Sequence, residues 1–328
     1  MPTRYGAGLG IAVLAGALSA TSHALAQEQR NYPERPIRLV ASTTAGSQPD
    51  MIARLIGQKM HEHWGQAVVV DNRPGGGGTL AATPVAKAVP DGYTLLYALP
   101  NFATSAVLQQ SLAYDPLKDF IGATHLGIST NVLVCAPSVG ARSVADLVAA
   151  AKAQPGKLIH ASSAVGSASH LSGARFGFIT GIKTVNVAFK GGPDATIELL
   201  GGRAHYHVGT MGVTIPFIKE GKLIALAVTS PQRAPLLPDV PALGETLAEF
   251  KRPDTSHGIL APAGTPRAVL DRISREVARI LALADVKARL DAISYVIAPS
   301  SPEEYDAILR HQIGALATLT RDIGLRVK

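Results

Sequence analysis

The alternation of short apolar runs with helix-like segments most constrains what this chain can fold into. "IRLVAS" at 37–42 and "AVVVD" at 67–71 are strand-like runs rich in β-branched residues. The segment between them, "MIARLIGQKMHEHW", has apolar residues at helical spacing, namely Met51, Ile52, Leu55, Ile56 and Met60. Repeated strand–helix–strand units place helices on both faces of a sheet. The sequence therefore predicts an α/β fold with mostly parallel sheets.

A second run of the same alternation divides the chain into two units. It restarts after "DPLKDF" and continues from the strand "TNVLVCAP" to the strand "LIALAVTS". The Pro-rich segment at 231–241 then predicts a crossover connection back to the first unit. We therefore expect a discontinuous first domain (27–125 and 232–328) and a second domain (126–231), with a cleft between them. Domain interfaces and the carboxyl ends of strands are favoured ligand sites.

The N-terminus predicts export. "MPTR" supplies a positive charge, "GLGIAVLAGALSA" is an apolar run at 8–20, and "ALA" at 24–26 fits a cleavage site. This pattern is typical of a secretory signal peptide over residues 1–26. A permanent membrane anchor is the less favoured alternative, because the run is short for a membrane span. The one cysteine, Cys135, lies in an apolar strand and can form no internal disulfide.

Charge and composition argue against nucleic acid as a partner. The 328 residues carry a formal charge of +7, but the basic residues are scattered and aromatic residues make up only 5%. Nucleic-acid surfaces need a clustered basic face and often stacking rings. The charge is better explained as diffuse and solubilising, and we predict no nucleic-acid partner.

The segment "HASSAVGSASHL" at 160–171 raises the question of catalysis. None of its serines has the G-x-S-x-G spacing of a nucleophile elbow. His170 follows Ser167 by three residues, but no carboxylate is placed to orient it. An exported serine hydrolase using Ser163 or Ser167 with His170 remains an alternative, and the favoured prediction is a protein without catalytic activity.

Phosphate, cofactor and metal sites are also weakly supported. "PGGGGT" lacks the lysine of a phosphate-binding loop, and the spacing does not fit a dinucleotide fingerprint. His205 and His207 share one side of a strand, yet no third ligand accompanies them. We predict no metal and no cofactor, although His205 is a candidate to face the cleft.

Anion capture is the chemistry that remains. "TTAGSQPDM" and "SAVGSASHL" each stand where a strand passes into a helix. Small residues there let backbone N–H groups and hydroxyls approach a ligand, and the helix N-terminus adds a partial positive charge. Two such ends facing one another across a cleft would hold a small carboxylate. The alternative for either loop alone is simple helix capping.

At this point the sequence resembles a known family, the Bug-type solute receptors of tripartite tricarboxylate transporters. The resemblance spans nearly the whole chain after the signal peptide. It rests on nine short segments in order: "YPERPIRLV", "DNRPGGGG", "AVPDGYTLL", "YDPLKDF", "ASSAVGSASHL", "ELLGGR", "GKLIALAVTS", "LPDVPAL" and "APAGTP". The resemblance implies a periplasmic-binding-protein-like fold of two α/β domains that close on a small carboxylate.

The resemblance also implies where the ligand binds. The loop after the first strand and the loop at 162–167 form the cleft, and Lys190 stands at a "YKG"-like position. Asn101 and Thr210 join these residues from "LPNFAT" and "VGTMG", two further loops that follow predicted strands, and His205 joins them from its strand face. The candidate ligand-binding residues are therefore Thr43, Thr44, Ala45, Gly46, Ser47, Asn101, Ser163, Gly166, Ser167, His170, Lys190, His205 and Thr210.

Two departures from the family pattern bear on the ligand. The usual "PFPAGGATD"-like loop is "STTAGSQPD" here, with more hydroxyls and with the bulkier Ser47 and Gln48. His205 stands where the family often has an aspartate, and Val208–Thr210 replace an "FDN"-like segment. These changes remove acidic character, which argues against a ligand whose amine needs a carboxylate partner.

We therefore predict a periplasmic receptor that binds a dicarboxylate or an aromatic acid by domain closure. The resemblance implies membrane transporter subunits as partners, and we expect a monomer. A ligand-sensing receptor that reports to a signalling partner is the alternative to uptake.

Overall fold

The computed structural model describes residues 31–109, 111–230, 232–250 and 256–322. The predicted signal peptide, residues 1–26, lies outside the described residues. No helix within the described ranges is both long and apolar enough to span a bilayer.

The described residues form two sheets with helices on both faces, as predicted. The strands are β1 Ile37–Ala41, β2 Val68–Asn72, β3 Thr94–Ala98, β4 Phe120–Ser129, β5 Asn131–Cys135, β6 Ile159–Ser162, β7 Val185–Ala188, β8 Tyr206–Thr210, β9 Ile224–Val228, β10 Ser256–Pro262 and β11 Tyr295–Ile297. The α-helices are α1 Gln48–Trp64, α2 Thr79–Ala86, α3 Pro100–Leu108, α4 Val144–Ala153, α5 Ala168–Thr180, α6 Gly192–Leu200, α7 Met211–Lys219, α8 Leu243–Thr246, α9 Arg267–Leu281, α10 Ala284–Asp291 and α11 Pro302–Asp322.

Both sheets are mixed, whereas the sequence predicted mostly parallel ones. The first sheet has the order β11-β4-β10-β3-β1-β2, with β1 parallel to β2 and β3 but β10 antiparallel to β3 and β4. The second has the order β7-β6-β8-β5-β9, in which β6 is parallel to β7 and β8, and β5 is antiparallel to β8 and β9. Two of the antiparallel strands follow chain from the other lobe: β5 comes directly after β4 of the first sheet, and β10 comes after the segment that packs on the second sheet. β11 is antiparallel to β4 and lies between two helices of the first lobe.

The connection between the sheets includes a strand that the sequence did not predict. β4 leads into β5 with only Thr130 between them. Its sequence, "FIGATHLGIS", is broken by polar residues and glycines and so lacks an apolar run. A Cβ at Gly127 would overlap the carbonyl oxygen of Val296, so the strand needs glycine there. Tertiary packing rather than local propensity makes this segment a strand.

Each sheet is packed on both faces. In the first sheet Leu39 and Leu95 pack against α1 and α9, while Val40 and Leu96 face α2, α3 and α11. This is the alternation expected of a strand buried on both sides. Cys135 is buried in β5 as predicted, and burial raises the pKa of its thiol to about 11.

The sequence predicts an N-cap at Ser143, a capping box at Ser301 and Glu304, and one helix from Thr265 towards Ile293. Ser143 accepts a hydrogen bond from the Asp146 N–H (3.1 Å) at the start of α4. Ser301 and Glu304 form the predicted capping box before α11. The single helix expected from Thr265 to Ile293 is instead two, because α9 ends at Leu281 and α10 begins at Ala284.

The segment 232–250 packs on the second sheet. Ala234 and Ala242 belong to the apolar core on one face of that sheet, and Leu243 and Phe250 belong to the core on the other. The predicted boundaries placed this segment in the first domain. We propose that the second domain extends to residue 250 and that the first domain resumes at β10.

Candidate ligand-binding site

A cavity of about 100 Å³ lies between the two lobes, at the carboxyl ends of the strands. Five loops line it, and each joins a strand directly to the first turn of a helix. The first lobe contributes the β1–α1 and β3–α3 loops, and the second contributes the β6–α5, β7–α6 and β8–α7 loops. The Gly-rich loop at 75–78, which follows β2, does not line this cavity; its glycines have positive φ angles, and it packs behind Asn101.

Five helix N-termini therefore converge on one small cavity. Ser47 and Ser167 cap α1 and α5, accepting hydrogen bonds from the Asp50 and His170 N–H groups (3.4 and 3.2 Å). The residues preceding α3, α6 and α7 make no side-chain cap. Each helix end brings partial positive charge and N–H groups without an intrahelical partner. The arrangement is suited to an anion.

Charged side chains at the cavity fit the same chemistry. Among the described residues that line it, Lys190 is the only lysine or arginine, and none is an aspartate or glutamate. Asp50 lies behind the β1–α1 loop and accepts hydrogen bonds from Arg54, Gly46 and Asn72. Burial by itself would raise the pKa of Asp50, but these hydrogen bonds outweigh it and lower that pKa. Its negative charge is thus compensated by Arg54, one turn along α1.

The β1–α1 loop divides its predicted residues between two tasks. Thr43 and Ser47 line the cavity, with 2.6 Å between their hydroxyl oxygens. Thr44, Ala45 and Gly46 do not line it. Thr44 instead contacts the second lobe, and the Gly46 N–H donates to Asp50.

The second-lobe residues are divided in the same way. Ser163, Ser167, Lys190 and Thr210 line the cavity, as does Asn101 of the first lobe. Gly166 and His170 lie behind the lining, with the Gly166 N–H donating to His170 Nδ1 (3.1 Å). Burial lowers the pKa of His170, which favours a neutral imidazole that accepts this bond.

His205 lies away from the cavity, although the sequence made it a candidate. It precedes β8, and its Nδ1 accepts a hydrogen bond from the Ile159 N–H (2.9 Å). Ile159 is the first residue of β6, whereas the cavity lies beyond the carboxyl end of that strand. The imidazole thus joins two strands at the opposite edge of the sheet.

Several lining residues were missed by sequence reasoning: Gln48, Ser129, Asn131, Ser169 and His257. Ser129 and Asn131 flank Thr130 at the crossing between the sheets, a position that no local pattern reveals. His257 is hydrogen-bonded to Tyr97 through Nδ1 (3.0 Å) and to Ser129 through Nε2 (3.1 Å). Gln48 stood out in the sequence only as a bulky departure from the family pattern.

The two lobes touch around the cavity. A Cβ at Gly191 would overlap Thr44 Oγ1, and a Cβ at Gly166 would lie 3.2 Å from Thr104 Cγ2. A Cβ at Gly212 in α7 would lie 3.3 Å from the Gln48 amide oxygen. At all three positions a second-lobe glycine lets a first-lobe side chain approach closely. The structure therefore has the closed arrangement of a two-lobed binding protein.

Solved structures with the same architecture cover about nine-tenths of this chain. A Rhodopseudomonas palustris protein with adipate is 31% identical, with a TM-score of 0.86, and covers 90% of this chain and 99% of its own. The periplasmic binding protein BugD is 29% identical, with a TM-score of 0.86, over 90% of this chain and 100% of its own. MatC of R. palustris, with bound malate, is 28% identical, with a TM-score of 0.82, over 88% and 99%.

The sequence itself matches a described family. Residues 52–303 fit the family described as "Tripartite tricarboxylate transporter family receptor". The matched range contains four of the five cavity loops completely, and the β1–α1 loop lies just before it. The chain belongs to the tripartite tricarboxylate transporter receptor family, and its structural neighbours include the periplasmic binding protein BugD.

Proposed function

We propose that this protein is a periplasmic receptor that captures a small carboxylate by closing its two lobes around it. The observation that carries the proposal is the convergence of five helix N-termini on a cavity whose described lining has no carboxylate side chain. A carboxylate would be held by first-turn N–H groups, hydroxyls and Lys190. The relatives solved with adipate and with malate support this class of ligand.

The ligand-binding roles follow from which predicted residues line the cavity. Thr43, Ser47, Asn101, Ser163, Ser167, Lys190 and Thr210 are the proposed contacts. Thr44 and Gly166 are proposed to shape the contact between the lobes. Gly46, next to Ala45, is proposed to hold the β1–α1 loop in place, and His170 is proposed to hold the β6–α5 loop.

A thermal-shift screen tests the ligand class. A ligand present at 100 times its Kd should stabilise the folded protein by about 2.7 kcal/mol. We expect this from at least one di- or monocarboxylic acid, and not from a neutral sugar or an amine of similar size. A melting temperature raised by a sugar or a cation, and by no acid, would exclude the proposal.

The hydroxyl and imidazole geometry favours a binding protein over a serine hydrolase. The Ser167 hydroxyl donates to the Ala164 carbonyl (2.7 Å), and His170 Nδ1 accepts from the Gly166 N–H rather than from a serine. We expect no turnover of short-chain nitrophenyl esters by the purified protein. Turnover abolished by Ser167→Ala would instead establish the hydrolase.

Export and transport complete the proposal. Residues 1–26 would direct the chain to the periplasm, and the closed lobes would present the ligand to membrane transporter subunits. N-terminal sequencing of the exported protein should begin at Gln27. Loss of uptake, rather than loss of a transcriptional response, in a deletion strain would distinguish a transport receptor from a sensor.

A further inference from the structure

Two buried side-chain amides at the cavity have polar atoms without a partner. Gln48, the first residue of α1, has no exposed surface and lines the cavity. Neither its amide nitrogen nor its amide oxygen has a hydrogen-bond partner among the described residues. Asn131, the first residue of β5, is 2% exposed and lines the same cavity. Its amide oxygen is also unpartnered.

Leaving such groups unsatisfied is unfavourable. Buried amide groups in folded proteins nearly always have a partner, and each unmet one costs about 1–3 kcal/mol. Both polar atoms of the Gln48 amide are unpartnered. Rotating the amide by 180° exchanges its nitrogen and oxygen, but the oxygen then still lacks a donor. At least one acceptor oxygen at this cavity therefore needs a donor.

A plain dicarboxylate does not supply that donor. At neutral pH its polar atoms are all acceptors, which suit the helix N-termini and the Gln48 nitrogen. They would face the Gln48 and Asn131 oxygens without a proton to share. A ligand with a hydroxyl or a carboxamide beside its carboxylate supplies both an acceptor and a donor.

We propose that Gln48, assisted by Asn131, is a specificity-determining residue that selects acids bearing a neutral O–H or N–H donor over plain dicarboxylates. This inference rests on the proposed function of the same site. A pocket built to hydrogen-bond a polar group rejects the analogue that lacks it, because its own buried groups are then left unpaired. The contact of the Gln48 amide with Gly212 places this selection where the lobes meet.

Calorimetric titration with three matched acids tests the selection. Succinate is the plain dicarboxylate, malate adds one hydroxyl, and succinamate replaces one carboxylate with a carboxamide. The wild-type protein should bind malate or succinamate about 10- to 100-fold more tightly than succinate. Equal affinity for all three acids, or a preference for succinate, would overturn the inference.

Two variants assign the selection to Gln48. Gln48→Leu should reduce the preference several-fold, because the Gln48 amide oxygen then no longer demands a donor and only the assisting Asn131 oxygen remains. Gln312→Leu is the matched control: Gln312 is a buried glutamine in α11 with an unpartnered amide nitrogen, outside the cavity lining. It should keep the wild-type preference. A preference retained in Gln48→Leu would overturn the assignment.

The wild-type measurement stands even if Gln48→Leu does not fold, and Gln48→Met then serves as the second variant. Failure of the two proposals is distinguishable in the same experiment. Acids that bind without a preference contradict only the role of Gln48. If neither these three acids nor any acid in the thermal-shift screen binds, the proposed function fails, and the inference fails with it.

Discussion

Replacing Gly191 with alanine should weaken ligand binding by about 5- to 150-fold, because the added methyl group obstructs closure of the lobes. Gly191 precedes α6 in the second lobe, and a Cβ there would overlap Thr44 Oγ1 of the first lobe. Overpacking of this kind costs about 1–3 kcal/mol. The backbone at Gly191 is extended (φ −163°), so alanine adds no local strain. Titration calorimetry measures the loss.

The cost should fall on closure and not on folding. Thr44 and Gly191 meet only across the cleft, so the melting temperature without ligand should match that of the wild-type protein. Adding Thr44→Ala to the variant removes the overlapping hydroxyl and should restore most of the affinity. Gly177→Ala is the control, because a Cβ there makes only an ordinary contact, 3.7 Å from the Ile182 carbonyl oxygen. Wild-type affinity in Gly191→Ala would show that this contact does not limit closure.

Lowering the pH should destabilise the protein at pH values well above those at which carboxylates titrate. Burial lowers the pKa of His160 and His257 to about 3 and that of His207 to about 4. Repulsion from a charged His207 would lower the pKa of His160 further, and repulsion from His125 lowers the pKa of His257 further. These imidazoles stay neutral in the folded protein but take up protons near pH 6.5 when it unfolds. Their stabilising contribution is complete above that pH and is lost as the pH falls towards 4 and then 3.

Between pH 7.5 and 5.5 each such histidine should lower the free energy of unfolding by about 1.4 kcal/mol, or about 4 kcal/mol for the three. Urea denaturation at a series of pH values measures this slope. His257→Gln should remove about a third of it, whereas His311→Gln, at an exposed position in α11, should leave it unchanged. A free energy of unfolding that stays constant from pH 7.5 to 5.5 would show that these histidines are not held neutral.

Much of the fold follows from residues close together in the chain. The strand–helix alternation predicted two α/β lobes, and the caps at Ser143 and Ser301 formed as their spacing indicated. Such features depend on the choice of residue within one turn or one strand, so they can be predicted from local sequence. β4 was missed for the converse reason, since its polar residues and glycines become a strand only through contacts with β10 and β11.

The site was predictable only in part. The sequence identified two of the five helix N-termini as an anion site, because "TTAGS" and "SAVGS" carry hydroxyls beside glycine. It also named Asn101, Lys190 and Thr210, which lie at the starts of α3, α6 and α7, but no local pattern showed that all five helices begin at one cavity or that His205 lies at the opposite edge of its sheet. Those facts depend on the order of strands in each sheet.

The sequence by itself therefore determined the two α/β lobes and the loops that end their strands, and it led to the proposal of an anionic ligand. Only the tertiary structure decided which side chains meet at the cavity. Gln48, Asn131 and His257 are distant in the chain and come together because β4, β5 and β10 pass between the sheets. The unpartnered Gln48 amide is likewise a property of the closed lobes. Hydrogen bonding between distant residues depends on packing, which no local pattern encodes.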